Sequence, residues 1–179
     1  MNMYFIAVVA PPEIELQVQK WKNYFKEKYQ CFVALKSPAH ITLIPPFWMN
    51  PALEKELIQS LDEFCAGQND FTIHLNNFSS FPPRVIFINI DKNESLEKFH
   101  DHLNRHIIEQ NHFPVKKDNR EFHPHVTLTN RDLYKKAYYE AWEIFSEKQY
   151  DASWIINSIS LLRHNKKNWE VIFTSQFED

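Results

Sequence analysis

One pattern of histidine and threonine residues occurs twice in this chain. Residues 40–43 read His-Ile-Thr-Leu and residues 125–128 read His-Val-Thr-Leu; they are referred to below as the first and second HxT segments. Because an imidazole titrates near neutral pH, one histidine can accept a proton while the other donates one. A threonine hydroxyl can donate a hydrogen bond to an oxygen on which negative charge accumulates. Brought together, the two segments would supply a base, an acid and two hydroxyl donors.

The geometry of a β-strand determines which of these side chains share a face. Side chains alternate along an extended strand, so His40 and Thr42 point to one side and their apolar neighbours to the other. The same alternation places His125 and Thr127 together in the second HxT segment. We predict that these four residues line one cleft and form the catalytic set, with His125 as the base and His40 as the acid. The alternative is a pair of half-buried core histidines that hydrogen-bond to the backbone.

The elements around the two HxT segments follow the same order in both halves of the chain. Each half begins strand, helix, HxT strand, helix, strand, as judged from hydrophobic periodicity. From Ile6 to His40 is 34 residues, and from Ile88 to His125 is 37. An internal repeat of this kind predicts two lobes related by a pseudo-twofold axis. We therefore expect one domain over residues 1–179, with repeat halves of about 1–80 and 81–179.

Proline and capping residues predict where some of the elements begin and end. Pro45 is expected to stop the first HxT strand after Ile44, because proline has no backbone N–H to give to a sheet. Asp132 is expected to cap the helix that follows the second HxT segment. The apolar face of that helix is predicted to include Ile144.

Composition and charge exclude several classes of protein. Hydrophobic residues make up 44% of the chain, enough for a buried core, so global disorder is excluded. Gly67 is the only glycine, which excludes the glycine-rich phosphate loop, the dinucleotide-binding fingerprint and the hydrolase nucleophile elbow. A net charge of −3 argues against an extended track for a polynucleotide. Cys31 and Cys65 form no CxxC pair, so neither a zinc ribbon nor a secreted disulfide framework is indicated.

The sequence contains no pattern typical of a leader or a membrane segment. The apolar run at residues 4–10 ends at two prolines and is too short for a signal peptide with a cleavage site. No run reaches the length needed to span a membrane. We therefore expect a cytoplasmic monomer without a membrane partner.

The two HxT segments resemble the twin motifs of the two-histidine (2H) phosphoesterases, the 2′-5′ RNA ligase-like or LigT-like superfamily. The resemblance extends over nearly the whole chain, including segment 78–83 and the strand at 169–171, and is similar to the small bacterial branch. It implies an α+β fold with two lobes, each with an antiparallel sheet and outer helices, around an active-site cleft. It also implies chemistry without metal or cofactor on 2′,3′-cyclic phosphate ends, or on 2′-5′ linkages, of RNA or nucleotides.

Four further side chains are candidates for contacts with such a substrate. Arg84 begins the first strand of the second half and Arg131 follows the second HxT segment, so either guanidinium is placed to meet phosphate. Phe47 and Phe81 flank the HxT strands and are candidates to stack on a base. For each of the four, a surface or core-packing role is the alternative. Many relatives carry a basic residue two positions after the motif's leucine, where this chain has Asn130.

Together these features predict a hydrolase that opens a 2′,3′-cyclic phosphate, or a related phosphodiester, and leaves a 2′-phosphate. Its partner is expected to be an RNA end or a small nucleotide. One alternative is a binding module that holds such an end without turnover. A second alternative is a metal hydrolase, because His102 and His106 lie four residues apart on a helix and His123 and His125 are two apart. The helix lacks the glutamate of the HExxH motif.

Overall fold

Strands and helices alternate along most of the chain. The computed structural model describes residues 1–109 and 113–178. Within these residues the strands are β1 Asn2–Val9, β2 His40–Met49, β3 Phe71–Phe81, β4 Val85–Ile90, β5 His125–Thr127, β6 Asp151–Ile156, β7 Ser158–His164 and β8 Trp169–Gln176. The helices are α1 Pro12–Tyr29, α2 Glu54–Cys65, α3 Glu94–Glu109 and α4 Lys135–Phe145, with short 3₁₀ helices at Val33–Lys36 and Pro51–Leu53.

The eight strands form two four-stranded sheets in which every pairing is antiparallel. The strand order is β2-β1-β7-β8 in the first sheet and β5-β4-β3-β6 in the second. The predicted α+β fold with two antiparallel sheets is therefore confirmed. Each HxT segment lies on an edge strand, β2 in one sheet and β5 in the other, and these two edge strands contact each other. The fold thus brings the two HxT segments side by side.

The two sheets do not correspond to the two predicted halves of the chain. β3 falls within predicted half 1–80, but it pairs with β4 and β6 of the second sheet. β7 and β8 fall within 81–179, but β7 pairs with β1 and completes the first sheet. Hydrophobic periodicity identifies a strand but carries no information on its partner, so the repeat in element order did not reveal this exchange.

The first HxT strand is longer than predicted. β2 continues past Ile44 and through Pro45 as far as Met49. Only one side of an edge strand is hydrogen-bonded, so proline can occupy a position whose missing N–H would face away from the sheet. Pro45 therefore indicates that β2 is an edge strand and does not end it.

Asp132 does not cap α4. That helix begins at Lys135 without a side-chain cap. The Oδ2 atom of Asp132 instead accepts hydrogen bonds from the backbone N–H groups of Phe32 and Val33, at 2.6 and 2.9 Å. A carboxylate that bonds to two backbone donors holds the start of the 3₁₀ helix before β2 against the segment after β5. Ile144, predicted on the apolar face of α4, is 39% exposed, and the buried side chain is that of its neighbour Phe145.

The helices bury one face each against the sheets. On α3 the buried side chains are Leu96, Phe99, Leu103 and Ile107, spaced three or four residues apart. Burying a side chain of this kind contributes about 1.5–3 kcal/mol, so each such stripe holds its helix firmly in place. Among the described residues, no helix combines the length and the apolar character that crossing a bilayer requires.

Candidate active site

Side-chain alternation in the two HxT strands places the polar residues on one face. His40 and Thr42 are half-buried, whereas Ile41 and Leu43 between and after them are fully buried. The second HxT segment repeats this pattern: its histidine and threonine are half-buried and its two apolar residues are buried. The alternation predicted from sequence is therefore present in both strands.

The two imidazoles are held in the same way. Nδ1 of His40 lies 2.7 Å from the carbonyl oxygen of Pro38, and Nδ1 of His125 lies 2.7 Å from the carbonyl oxygen of His123. A carbonyl oxygen only accepts hydrogen bonds, so in each ring Nδ1 carries the hydrogen. The lone pair of the neutral ring then resides on Nε2, which is the atom that can take up a proton.

An aromatic ring from the adjacent strand packs against each imidazole. Phe5 of β1 lies 4.9 Å from His40, and Phe87 of β4 lies 4.9 Å from His125, between ring centroids. Phe81 adds an edge-to-face contact with His125 at 5.2 Å. These contacts fix the ring planes and keep water from one side of each imidazole.

Burial and neighbouring charges make both imidazoles weaker bases. Burial lowers the pKa of His40 to about 4; the hydrogen bond to Pro38 opposes this shift, while positive charge on Lys22 and His125 adds to it. Burial also lowers the pKa of His125, and positive charge on His123 contributes in the same direction. The two edge strands that carry these rings contact each other.

The two pKa shifts bear on which histidine is the base. A histidine that stays neutral at the working pH has its Nε2 lone pair available as a base, even though its lowered pKa makes it a weaker one, and the stronger shift belongs to His40. The unliganded protein therefore favours His40 as the base, whereas His125 was expected in that role. An anionic phosphodiester bound between the rings would raise the pKa of both.

Two charged side chains of α1 hold the backbone that leads into the first HxT segment. Lys22 is 2% exposed, and its ammonium donates a hydrogen bond to the carbonyl oxygen of Ser37 at 2.9 Å. Glu15 accepts one from the backbone N–H of Ala39 at 2.6 Å. Neither residue was predicted from the sequence, although Lys22 follows the buried Val18 by four positions and so occupies a core position of the helix.

The second HxT segment is held by a buried threonine just beyond it. The hydroxyl of Thr129 donates to the carbonyl oxygen of Arg84 and accepts from the backbone N–H of Ile86, both at 2.9 Å. This residue is fully buried. These two hydrogen bonds attach the chain to β4 just after β5 ends. They add to the few backbone hydrogen bonds that a strand of three residues can form.

A cavity of about 770 Å³ opens beside the paired histidines. Thr42, Phe81 and His125 line it, and residues of α3 and of segment 117–123 form much of the remaining wall. His40 and Thr127 are not among its lining residues. The cavity thus reaches one histidine and one threonine of the predicted set.

The predicted substrate contacts differ in their placement. Phe81 is 39% exposed and lines the cavity, as stacking on a base requires. Phe47 is only 7% exposed and packs against Tyr4 at 6.1 Å, which places it in the core and corrects the expectation that it stacks. Arg84 and Arg131 are exposed but lie outside the cavity wall, so the expected guanidinium contact with phosphate has no support there.

Cavity residues on α3 were also missed from the sequence. Asn104, Arg105 and Ile108 line the cavity, while Leu103 and Ile107 on the opposite face are buried. The spacing of the buried residues along α3 could have indicated these positions. It identifies the face that packs in the core, and the polar residues on the remaining face are left to line a cleft.

The histidines proposed for a metal site have other surroundings. Nε2 of His106 lies 3.0 Å from the hydroxyl and 3.0 Å from the carbonyl oxygen of Ser60, and His102 is exposed. The rings of His123 and His125 are 6.3 Å apart between centroids. Over residues 1–109 and 113–178, no group of three or more His, Cys, Asp or Glu side chains is arranged to bind a metal ion.

Sequence comparisons identify the family and several relatives of this chain. The family model of the 2′-5′ RNA ligase superfamily matches residues 10–168. An RNA 2′,3′-cyclic phosphodiesterase of Bacillus subtilis (strain 168) is 30% identical over 135 residues, which cover 72% of this chain and 70% of that protein. A protein of Geobacillus sp. (strain WCH70) with the name "Putative phosphoesterase" is 30% identical over 128 residues, which cover 70% of this chain and 69% of that protein.

Solved structures show the same fold. E. coli LigT, in complex with 3′-AMP, aligns with a TM-score of 0.71 at 18% identity, over 99% of both chains. The protein TT0787 of Thermus thermophilus aligns with a TM-score of 0.73 at 16% identity, over 99% of this chain and 98% of that one. With the family match and the two HxT segments, these alignments show that the chain belongs to the 2′-5′ RNA ligase superfamily, the LigT-like 2H phosphoesterases.

Proposed function

We propose that this chain is a phosphodiesterase that hydrolyses 2′,3′-cyclic phosphates at RNA ends or on small nucleotides, without metal or cofactor. The observation that carries the proposal is the matched pair of imidazoles on adjacent sheet edges, each with Nδ1 bound to a carbonyl and Nε2 left to exchange protons. The cyclic phosphodiesterase named among its relatives supports the substrate class.

The proposed reaction is one in-line displacement at phosphorus. One histidine takes a proton from water through Nε2, and the water oxygen forms a bond to phosphorus. The bond from phosphorus to one ribose oxygen breaks, and the other histidine, protonated at the start, gives its Nε2 proton to that oxygen. The hydroxyls of Thr42 and Thr127 donate hydrogen bonds to the non-bridging oxygens, where negative charge accumulates. The product is a phosphate monoester, with the 2′-phosphate as the expected isomer.

The surroundings of the pair support a nucleotide substrate. Phe81 presents an exposed ring beside His125 on which a base can stack. E. coli LigT, which shares the fold, binds 3′-AMP and ATP in solved structures. A monomeric state and a cytoplasmic location stay predictions.

Turnover in the presence of a chelator tests the proposal. Purified protein in EDTA is incubated with 2′,3′-cyclic AMP and with a short RNA that ends in a cyclic phosphate. We expect wild-type turnover and a loss of roughly 10²–10⁴-fold in His40→Ala and in His125→Ala, the range for general acid and base groups. His102→Ala, an exposed histidine of α3, is the matched control.

Three other results would contradict the proposal. Turnover that requires added metal would indicate the metal hydrolase. Saturable binding of either substrate without turnover would indicate the binding module. Full activity in both single variants would remove the paired histidines from the chemistry.

A leaving group that needs no proton separates the acid from the base. A phosphodiester with a p-nitrophenolate leaving group should restore activity to the variant that lacks the acid, but not to the variant that lacks the base. Rescue of His40→Ala would confirm the assignment made from sequence. Rescue of His125→Ala would establish the reverse order, which the pKa values of the unliganded protein favour.

A further inference from the structure

The far part of the cavity carries side chains that the proposed reaction does not use. From Thr42 and His125 the cavity extends along one face of α3 and along segment 117–123. Its volume of about 770 Å³ lies in the upper part of the range of roughly 300–1,000 Å³ found for ligand pockets. A single phosphate held by the paired histidines would fill only a small part of this volume, so space remains for a further part of a substrate.

Two cations that line this cavity have no counterion among the described residues. Arg105 lies on α3 and Lys117 on segment 117–123, and both line the cavity. Neither forms an ion pair or a side-chain hydrogen bond with any residue of 1–109 and 113–178. By contrast, the guanidinium of Arg120 is held by both carboxylate oxygens of Asp118, at 2.7–3.1 Å. Arg105 and Lys117 are therefore available to bind an anion.

The rest of the wall limits the length of polyanion that fits. Asp101, Glu109 and Glu121 also line the cavity, so the wall is not positive overall. A long phosphate backbone would be repelled by these carboxylates. A single phosphate between Arg105 and Lys117 would be attracted locally.

Apolar surface lies beside these two cations. Leu43, Pro45 and Phe122 line the cavity. The ring of Phe122 is stacked on the imidazole of His100, with centroids 3.7 Å apart and planes 6° from parallel. This stack fixes the aromatic ring in the wall and gives a nucleoside a rigid apolar surface to pack against.

We propose that this part of the cavity binds the nucleotide that precedes the terminal nucleotide of an RNA, and that Arg105 and Lys117 contact the phosphate linking the two. The inference rests on the proposed cyclic phosphodiesterase function and specifies its substrate. An RNA end of two or more nucleotides is then a better substrate than a cyclic mononucleotide. The gain is complete within two or three nucleotides, because the carboxylates in the wall oppose a longer phosphate track.

Chain-length dependence tests this subsite. kcat/KM is measured for 2′,3′-cyclic AMP and for a dinucleotide, a trinucleotide and a hexanucleotide that end in the same cyclic adenosine phosphate. We expect a gain of about tenfold from one to two nucleotides, the worth of one charge-assisted contact, and less than about threefold beyond three. In Arg105→Ala and Lys117→Ala the ratio of dinucleotide to mononucleotide kcat/KM should fall toward one. Because each ratio is taken within one protein preparation, a change in the folded fraction cancels.

Lys116 provides the matched control. It neighbours Lys117 in sequence and is exposed, but it does not line the cavity. Lys116→Ala should keep the wild-type ratio. Equal kcat/KM for all four wild-type substrates, or an unchanged ratio in both Arg105→Ala and Lys117→Ala, would overturn the subsite while leaving the proposed function standing. Absence of turnover with every substrate would overturn the proposed function and this inference with it.

Discussion

The first HxT segment begins β2, a strand of ten residues, whereas the second occupies β5, a strand of three. In both, the histidine Nδ1 atom lies 2.7 Å from a carbonyl oxygen two residues earlier, and a phenylalanine from the neighbouring strand packs at 4.9 Å. The surroundings differ: His40 has the buried ammonium of Lys22 nearby, and His125 has the exposed imidazole of His123.

The two histidines therefore have matching local contacts but different pKa values. The same hydrogen bond and the same aromatic contact leave His40 with the more strongly lowered pKa, because its ring is more deeply enclosed and lies near a second cation. A reaction that needs one neutral and one charged imidazole depends on such asymmetry.

The largest expected effect comes from removing both histidines at once. His40→Ala and His125→Ala should each lower kcat/KM by roughly 10²–10⁴-fold. The kcat/KM of the double variant should be only slightly below that of the less active single variant. Loss of either the acid or the base already disables the step that both serve. The measurement is kcat/KM in all four combinations. Losses that multiply in the double variant would mean that the two segments act independently.

The two threonines test whether the segments contribute equally to charge stabilisation. Thr42→Val and Thr127→Val remove one hydroxyl each at nearly constant volume, and each should lower kcat/KM by roughly 10–100-fold, the worth of a hydrogen bond to a charged group. Thr72→Val, on an exposed position of β3, serves as the control. No effect of Thr127→Val beside a clear effect of Thr42→Val would confine charge stabilisation to the first segment, the one whose hydroxyl lines the cavity.

The pH dependence of kcat/KM reports the two pKa values directly. Activity requires one imidazole protonated and the other neutral, so the maximum lies between the pKa of His40, about 4, and the lowered pKa of His125. We expect activity to fall as pH rises through neutrality, since both rings then lose their protons. It should fall again below about pH 4, where both are charged. A maximum above about pH 7.5, beyond the ordinary histidine range, would contradict the lowered pKa values.

Replacing Lys22 should make the two segments more alike. Positive charge on this lysine lowers the pKa of His40, so Lys22→Met should raise that pKa and move the acidic limb of the profile to higher pH. The other limb should stay in place, because Lys22 does not contribute to the shift of His125. Equal movement of both limbs would show a general structural change and not an electrostatic effect on one histidine.

The smallest expected effect comes from replacing Asp132, which connects the chain after the second HxT segment to the 3₁₀ helix before the first. Asp132→Ala leaves the backbone N–H groups of Phe32 and Val33 without their acceptor and should lower the free energy of unfolding by about 1–3 kcal/mol. Asp132→Asn keeps an acceptor oxygen and should recover most of this loss. Denaturant unfolding of the two variants measures the difference, and equal stability of Asp132→Ala and wild type would show that the link contributes nothing.

The features that were predictable from the residues alone are those that depend on local periodicity. The faces of the HxT strands follow from alternation, whereas the α+β class with antiparallel sheets followed from the resemblance to the LigT-like family. The pairing of β7 with β1 was not predictable, because strand partners are chosen by tertiary contacts. Phe47 was misjudged for a related reason: aromatic character does not reveal which side of a strand is buried. Arg105 was not predicted because the periodicity of α3 identifies its buried face but does not show that another face lines a cavity.

The exchange of strands between the sheets has a consequence for synthesis on the ribosome. β1 and β2 emerge first, yet β1 lacks its second neighbour until residues 158–164 of β7 have emerged. The second sheet gains its last strand, β6, only just before β7 begins, but its other three strands, β3 to β5, come much earlier in the chain. The nascent first sheet meanwhile presents an unpaired hydrophobic edge, the kind of surface that chaperones and aggregation both act on. A released chain that ends at residue 157 keeps every strand of the second sheet and lacks β7 and β8. It should therefore yield a folded second sheet beside a protease-sensitive amino-terminal segment.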